Sequence, residues 1–144
     1  MAIVYFDSSA LVKLLISENG SDLADEVWDG CDSAISSRLA YPEVCAALAG
    51  AQRNKLISTS ECREAEVNWE TYWSAMRHVE LTAAVEKRAG SLAKNSSLRG
   101  TDSVHLASAL AIGLNDLIVA VWDRQLHRAA QAVGLRVVPA LIQN

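Results

Sequence analysis

Apolar residues run without a break from Ile3 through Val4, Tyr5 and Phe6 into Asp7, after which the apolar spacing becomes helical. β-Branched and aromatic side chains favour a strand over residues 2–6, and a carboxylate or hydroxyl accepts from the free N–H groups at a helix start, so a helix is predicted over 9–16. If Ser8 or Ser9 caps that helix, Asp7 is left at the carboxyl end of a strand, where ligands bind in open α/β sheets. An amphipathic stretch follows from Gly20 to about Trp28, and 33–36 reads as a short strand. Residues 39–55 are Ala-rich with helical spacing; Pro42 is tolerated only in a first turn, which places Glu43 near the start of that helix.

A long helix is predicted over 60–74, with Trp69, Tyr72, Trp73 and Met76 at i, i+3, i+4 and i+7, a stripe suited to a core or a partner-binding face. A strand is expected near 78–81, a helix over 82–95 and a loop at 96–101. Thr101 is a good N-cap, which puts Asp102 at the head of a helix that Gly113 would end. The continuous apolar run 117–122 suits a strand buried on both faces and ends in Asp123. A helix closed by Gly134 and a last strand at 136–139 complete the chain. Strands alternating with helices predict an α/β fold with a central, mainly parallel sheet flanked by helices.

The 144 residues suit one domain spanning 1–144, and two prolines with no repeat or low-complexity tract leave no candidate linker. No apolar run approaches the roughly 20 residues of a membrane span, and no basic, signal-type leader precedes the first strand, so a cytoplasmic protein is expected. Cys31, Cys45 and Cys62 form no CxxC pair, which argues against a thiolate zinc site or a disulfide framework. The net charge of −4 weighs against nucleic acid as a partner, but the charge is polarised. Residues 1–76 carry 5 basic and 12 acidic side chains, whereas 77–144 carry 8 and 5. Lys87, Arg88, Lys94, Arg99, Arg124 and Arg128 form a candidate track for an RNA backbone.

Four acids share one topological address. Asp7 and Asp123 each follow a strand, and Glu43 and Asp102 each sit in a first helical turn, so right-handed crossovers bring all four to the carboxyl ends of the strands. The helix dipole alone explains an acid in a first turn, but Glu43 shares its face with Ala46, Ala47 and Gly50, and Asp102 shares its own with Leu106 and Ala109. Both faces read as buried, and an unpartnered buried carboxylate costs several kcal/mol. Packed carboxylates take up a proton or bind a cation, and hard oxygen donors suit Mg²⁺ or Mn²⁺. His105 stands at acid-x-x-His spacing from Asp102, but no second such pair accompanies it, which leaves a helix-surface or hydrogen-bonding histidine. Ser8 is either a cap or a donor to a carboxylate or phosphate. Phosphate-loop and dinucleotide motifs are absent from the sequence.

The stretches FDSSALVKL, SSRLAYPEVCAAL, LRGTDSVHLASAL and VAVWDRQLHRAAQAVGLRVVP resemble the four successive blocks of PIN-domain ribonucleases, specifically VapC-type toxins of toxin-antitoxin pairs. The resemblance covers the whole chain in order and implies a PIN-like three-layer fold. It implies a Mg²⁺- or Mn²⁺-dependent endoribonuclease in which Asp7 and Asp102 are direct metal ligands, Asp123 completes the site and Glu43 orients water or acts as a base. In-line attack by water would leave a 5′-phosphate and a 3′-hydroxyl. A homodimer and a small VapB-like antitoxin that inserts a basic side chain among the acids are also implied, with the Trp69/Tyr72/Trp73 stripe as a docking face. Val121 departs from the pattern, since relatives often carry Ser or Thr there and gain a hydrogen bond behind the site. Two alternatives stay open: a catalytically inactive PIN-like module that binds RNA or protein, and a receiver-like or phosphatase domain, against which Asp7 lacks the second acid of a DxD nucleophile.

Overall fold

The computed structural model describes residues 2–143, and the N-terminal apolar run becomes the central strand of its sheet. Strand β1 (Ile3–Phe6) is flanked on one side by β2 (Ser33–Ser37) and β3 (Arg77–Val79), and on the other by β4 (Ile118–Ala120) and β5 (Arg136–Val138). Every pairing in this order, β3-β2-β1-β4-β5, is parallel. Parallel neighbours require crossovers. Helices α1 (Ser8–Leu15) and α2 (Ser21–Gly30) join β1 to β2, and α3 (Ala40–Arg53) and α4 (Thr59–Ala75) join β2 to β3. Helices α5 (Ala83–Asn95) and α6 (Gly100–Ala111) lead to β4, and α7 (Arg124–Ala132) leads to β5.

Both faces of the sheet are covered, which is why β1 is apolar throughout rather than alternating. Val4 and Phe6 pack with Leu11, Val44, Leu48 and Trp69 of the layer built from α1, α3 and α4. Tyr5 points the other way, into a cluster with Val119, Leu106 of α6 and Leu126 of α7. Val121 lies fully buried in that second cluster, where its methyls supply packing and no hydrogen bond. The predicted stripe on α4 divides on burial. Trp69 is 1% exposed and Met76 is buried, so both belong to the core, and Trp69 is unavailable as a docking face. Tyr72 and Trp73 are partly buried, and Trp73 stacks on His78 with ring centroids 3.8 Å apart.

Some predicted boundaries shift. β3 ends at Val79, leaving Glu80 and Leu81 exposed, and β4 stops at Ala120, although the Val121 N–H still donates to the Val138 carbonyl at 2.9 Å. Helix α6 begins at Gly100 with Arg99 as N-cap, so Thr101 does not cap it and Asp102 lies within its first turn. Gly113 does end α6, with φ of 72°, a left-handed conformation that glycine adopts without steric penalty. Gly20, at φ 93°, lies so close to the Trp122 indole that a Cβ would come within 2.7 Å of Nε1, so glycine is what admits this ring against the turn before α2.

The chain leaves β1 toward β2 and β3 and later returns to β1's other side to build β4 and β5, so the strand order reverses between β1 and β4. Such a switch point opens a crevice at the carboxyl ends of the two neighbouring strands. Asp7 follows β1 directly, and Asp123 lies three residues beyond β4.

Candidate active site

Asp7 does two things that the sequence presented as alternatives. It stands at the carboxyl end of β1, and it is itself the N-cap of α1: its backbone is extended, and its Oδ1 accepts from the Ala10 N–H at 3.0 Å and the Ser9 hydroxyl at 2.6 Å. Neither Ser8 nor Ser9 caps the helix. Ser9 Oγ also accepts from the Trp122 N–H at 2.9 Å, and the Asp7 N–H donates to the Ala120 carbonyl at 3.2 Å. These bonds fasten the start of α1 to the end of β4.

Ser8, freed from capping, donates its hydroxyl to Glu43 Oε1 at 2.7 Å. The same oxygen lies 2.6 Å from His105 Nε2, and His105 Nδ1 lies 2.7 Å from the Tyr5 hydroxyl. In either protonation state the imidazole presents Nε2–H to the carboxylate: neutral with Tyr5 donating to Nδ1, or charged with Tyr5 accepting. His105 is buried, so it is the hydrogen-bonding histidine of the two expected kinds and not a surface one. Its carboxylate partner is Glu43 rather than Asp102. Glu43 itself retains 27% side-chain exposure, and Ala46 is exposed, so this face of α3 is more open than its alanines suggested.

Asp102 and Asp123 meet around one cation. Arg99 Nε donates to Asp102 Oδ2 at 2.9 Å, and Arg99 Nη2 donates to Asp123 Oδ2 at 3.1 Å. Asp123 uses its other oxygen to cap α7, accepting from the Leu126 N–H at 2.9 Å. Arg99 therefore does not belong to a free basic track. Its guanidinium is bound into the acid cluster, and the Asp102 hydrogen bond, followed by the charges of Asp102 and Asp123, raises its pKa further.

The electrostatics separate the acids. Burial pushes the Asp7 carboxyl up to about 6 and the Asp123 charge adds to this, against the opposing pull of His105, Ser9 and the Ala10 amide. Glu43 also pays a burial penalty, but the His105 hydrogen bond and charge, the Ser8 hydroxyl and the Arg99 charge outweigh it and hold Glu43 below the usual carboxylate range. One carboxyl is thus poised to protonate near neutrality while its neighbour stays ionised, a separation that burial and unlike partners generate together.

Three or more acids do not gather directly around a vacant metal position: among the described residues no group of three His, Cys, Asp and Glu side chains stands ready to hold an ion. The four acids are nevertheless close neighbours in the fold. They are brought to one edge of the sheet, but Glu43 is engaged by Ser8 and His105, and Asp102 and Asp123 are bridged by Arg99. The donor set still fits a hard divalent ion. It consists of carboxylate oxygens, one of them held protonation-prone by burial beside a second acid, and a cationic group already stands between two of the others.

Tyr5, Ser9, Arg99 and His105 are side chains of this cluster that the sequence did not single out for these contacts. His105 had a visible signal in its spacing from Asp102, and Arg99 in its place three residues before that acid. Their other partners are 62 and 24 residues away, beyond any local pattern.

The PIN domain family model matches residues 4–132. Ribonuclease VapC45 and ribonuclease VapC49 of Mycobacterium tuberculosis are each 62% identical over 140 residues, covering 97% of this chain and 97% of theirs. Among solved structures, a toxin-antitoxin complex from Klebsiella pneumoniae contains a chain matching 99% of this one across 100% of its own length, with a TM-score of 0.67 at 17% identity. At that identity the likeness speaks for the fold.

Proposed function

This chain belongs to the PIN-domain family, with the VapC ribonucleases as its curated relatives, and from that premise we propose that it is a Mg²⁺-dependent endoribonuclease, the toxin of a toxin-antitoxin pair. The observation that carries the proposal is the delivery of Asp7, Glu43, Asp102 and Asp123, from four separate points in the chain, to the switch-point edge of one parallel sheet. In this reading the whole chain works as one domain. Asp7, Asp102 and Asp123 would hold Mg²⁺, with Mn²⁺ as a substitute. The ion supplies Lewis acidity that makes water nucleophilic and offsets the charge developing on the phosphodiester.

The chain's own residues do the rest. Glu43, ionised and partly exposed, accepts the proton of the attacking water from the position that Ser8 and His105 fix for it. Tyr5 holds the imidazole in orientation from within the core. Burial of Asp7 and Asp102 keeps bulk water away from two of the acids, which strengthens the pull of each on a cation. Val121 is buried in the apolar cluster around Tyr5 and offers no side-chain hydrogen bond to the site.

The RNA backbone would lie along the basic side chains of the C-terminal half, such as Lys87, Arg88, Lys94 and Arg128. A VapB-like antitoxin as partner is supported by the toxin-antitoxin neighbour and by an acid cluster that accepts a guanidinium. A homodimer and a cytoplasmic location belong to the same reading; no described helix is long and apolar enough to cross a membrane. The products test the chemistry. Labelled RNA incubated with the purified protein and Mg²⁺ is expected to give fragments bearing 5′-phosphate and 3′-hydroxyl ends. Fragments with 2′,3′-cyclic phosphates would mean that the ribose hydroxyl attacks and would overturn the mechanism.

A further inference from the structure

We propose that Arg99 is the resident cation of the ion-free acid cluster, and that a divalent metal enters by displacing its guanidinium from Asp102 and Asp123. The inference rests on the metal-dependent reading of the site and adds to it a residue of this chain that competes for the metal's place.

The geometry is specific. Asp102 is buried, with a side chain only 9% exposed, and Asp123 is 29% exposed, whereas the Arg99 side chain that joins them is 66% exposed. A mostly solvated arginine thus closes over a mostly buried pair of acids from outside. It spends two different nitrogens, Nε and Nη2, one on each carboxylate, and in both cases the oxygen it takes is Oδ2. Asp123 Oδ1 is committed to the Leu126 amide, so Oδ2 is the oxygen left for a cation, and Arg99 has it. The remaining acids are compensated differently: Glu43 by His105 and Ser8, and Asp7 by Ser9 and the Ala10 amide. Arg99 is therefore a cation shared by two acids of the cluster, and its absence would leave the buried Asp102 without this counter-charge.

An ion bound through Asp102 Oδ2 and Asp123 Oδ2 would meet the Arg99 guanidinium there, so the two cations compete for those oxygens. Arg99 sits at the N-cap of α6 with its side chain not used for capping, so it can swing outward without unwinding the helix. The arrangement keeps the folded protein tolerable without metal and sets the concentration at which metal binds.

Mn²⁺ binding, followed by calorimetry and by the rise in melting temperature on adding Mn²⁺ to chelator-stripped protein, tests this without reference to catalysis. Arg99→Gln is expected to bind Mn²⁺ roughly tenfold more tightly than wild type and to melt earlier in EDTA. Arg99→Lys keeps the charge but cannot fork across two carboxylates, so it is expected to fall between the two. If Arg99→Lys and wild type bind equally while Arg99→Gln binds tighter, only long-range charge is at work and displacement is wrong. If all three bind Mn²⁺ equally, Arg99 does not compete at all. If none binds Mn²⁺ saturably, the metal-dependent reading itself fails together with this one.

Discussion

His105 Nε2 lies 2.6 Å from Glu43 Oε1, a contact that joins the first turn of α3 to the buried face of α6 across the carboxyl edge of the sheet. With Tyr5 behind the imidazole and Ser8 on the same carboxylate oxygen, Glu43 has one orientation in which its donors are satisfied. Groups that orient a catalytic or metal-binding side chain typically change activity or affinity by about 10- to 100-fold when removed. His105→Ala is expected to lower RNA cleavage by that order and to destabilise the fold by about 1–3 kcal/mol, since the Tyr5 hydroxyl is left buried without its partner. His105→Gln, which can place an N–H near Nε2, should retain more activity than His105→Ala. Equal activity in the two variants would remove the positioning role.

Asp7 makes the ion-free protein less stable than it could be. Its folded-state pKa, raised to about 6 by burial first, exceeds that of an unfolded aspartate, so the native state binds a proton more tightly than the unfolded one. The sign follows: this stabilisation is present below about pH 4 and is lost as pH rises through about 6. Asn at this position keeps an oxygen for the Ser9 and Ala10 donors and carries no charge. Asp7→Asn is therefore expected to raise stability in EDTA at pH 7 by on the order of 2 kcal/mol, with the gain shrinking toward pH 4. Urea unfolding at several pH values measures it, and a variant less stable than wild type at pH 7 would contradict the burial argument.

Trp69 and Trp73 separate core from surface on α4. Trp69 is 1% exposed against Tyr41 and Trp73, and Trp69→Ala should cost about 3–5 kcal/mol. Trp73 is only partly buried and stacks on His78, so Trp73→Ala should cost clearly less. Comparable losses in chemical denaturation would mean that the two rings share one burial environment.

The alternation of strands and helices was legible because β1 and β4 are short apolar runs that end in acids, and because Gly113 and Gly134 close their helices with positive φ. The four acids were legible for the same reason: each marks a boundary between elements. Caps were harder to read. Asp7, Ser8 and Ser9 are all good N-cap residues, and which one caps depends on the segment after β4, where the Trp122 amide donates to Ser9. Thr101 looked like a cap, but α6 starts two residues earlier, with Arg99 as its N-cap, where the guanidinium can reach both Asp102 and Asp123. The compensation of the acids was invisible in the chain because it depends on pairs such as Glu43 with His105, which only the tertiary fold brings together.

The most direct test of the whole account is RNA cleavage by the purified protein in Mg²⁺, in EDTA, and in Mg²⁺ with Asp7→Asn or Asp102→Asn. Cleavage is expected in Mg²⁺ alone, to cease on chelation, to return when Mg²⁺ or Mn²⁺ is restored, and to fall by at least about 100-fold in either variant. Cleavage that persists in EDTA, or that either substitution leaves intact, would contradict a reaction carried by a divalent ion among these carboxylates.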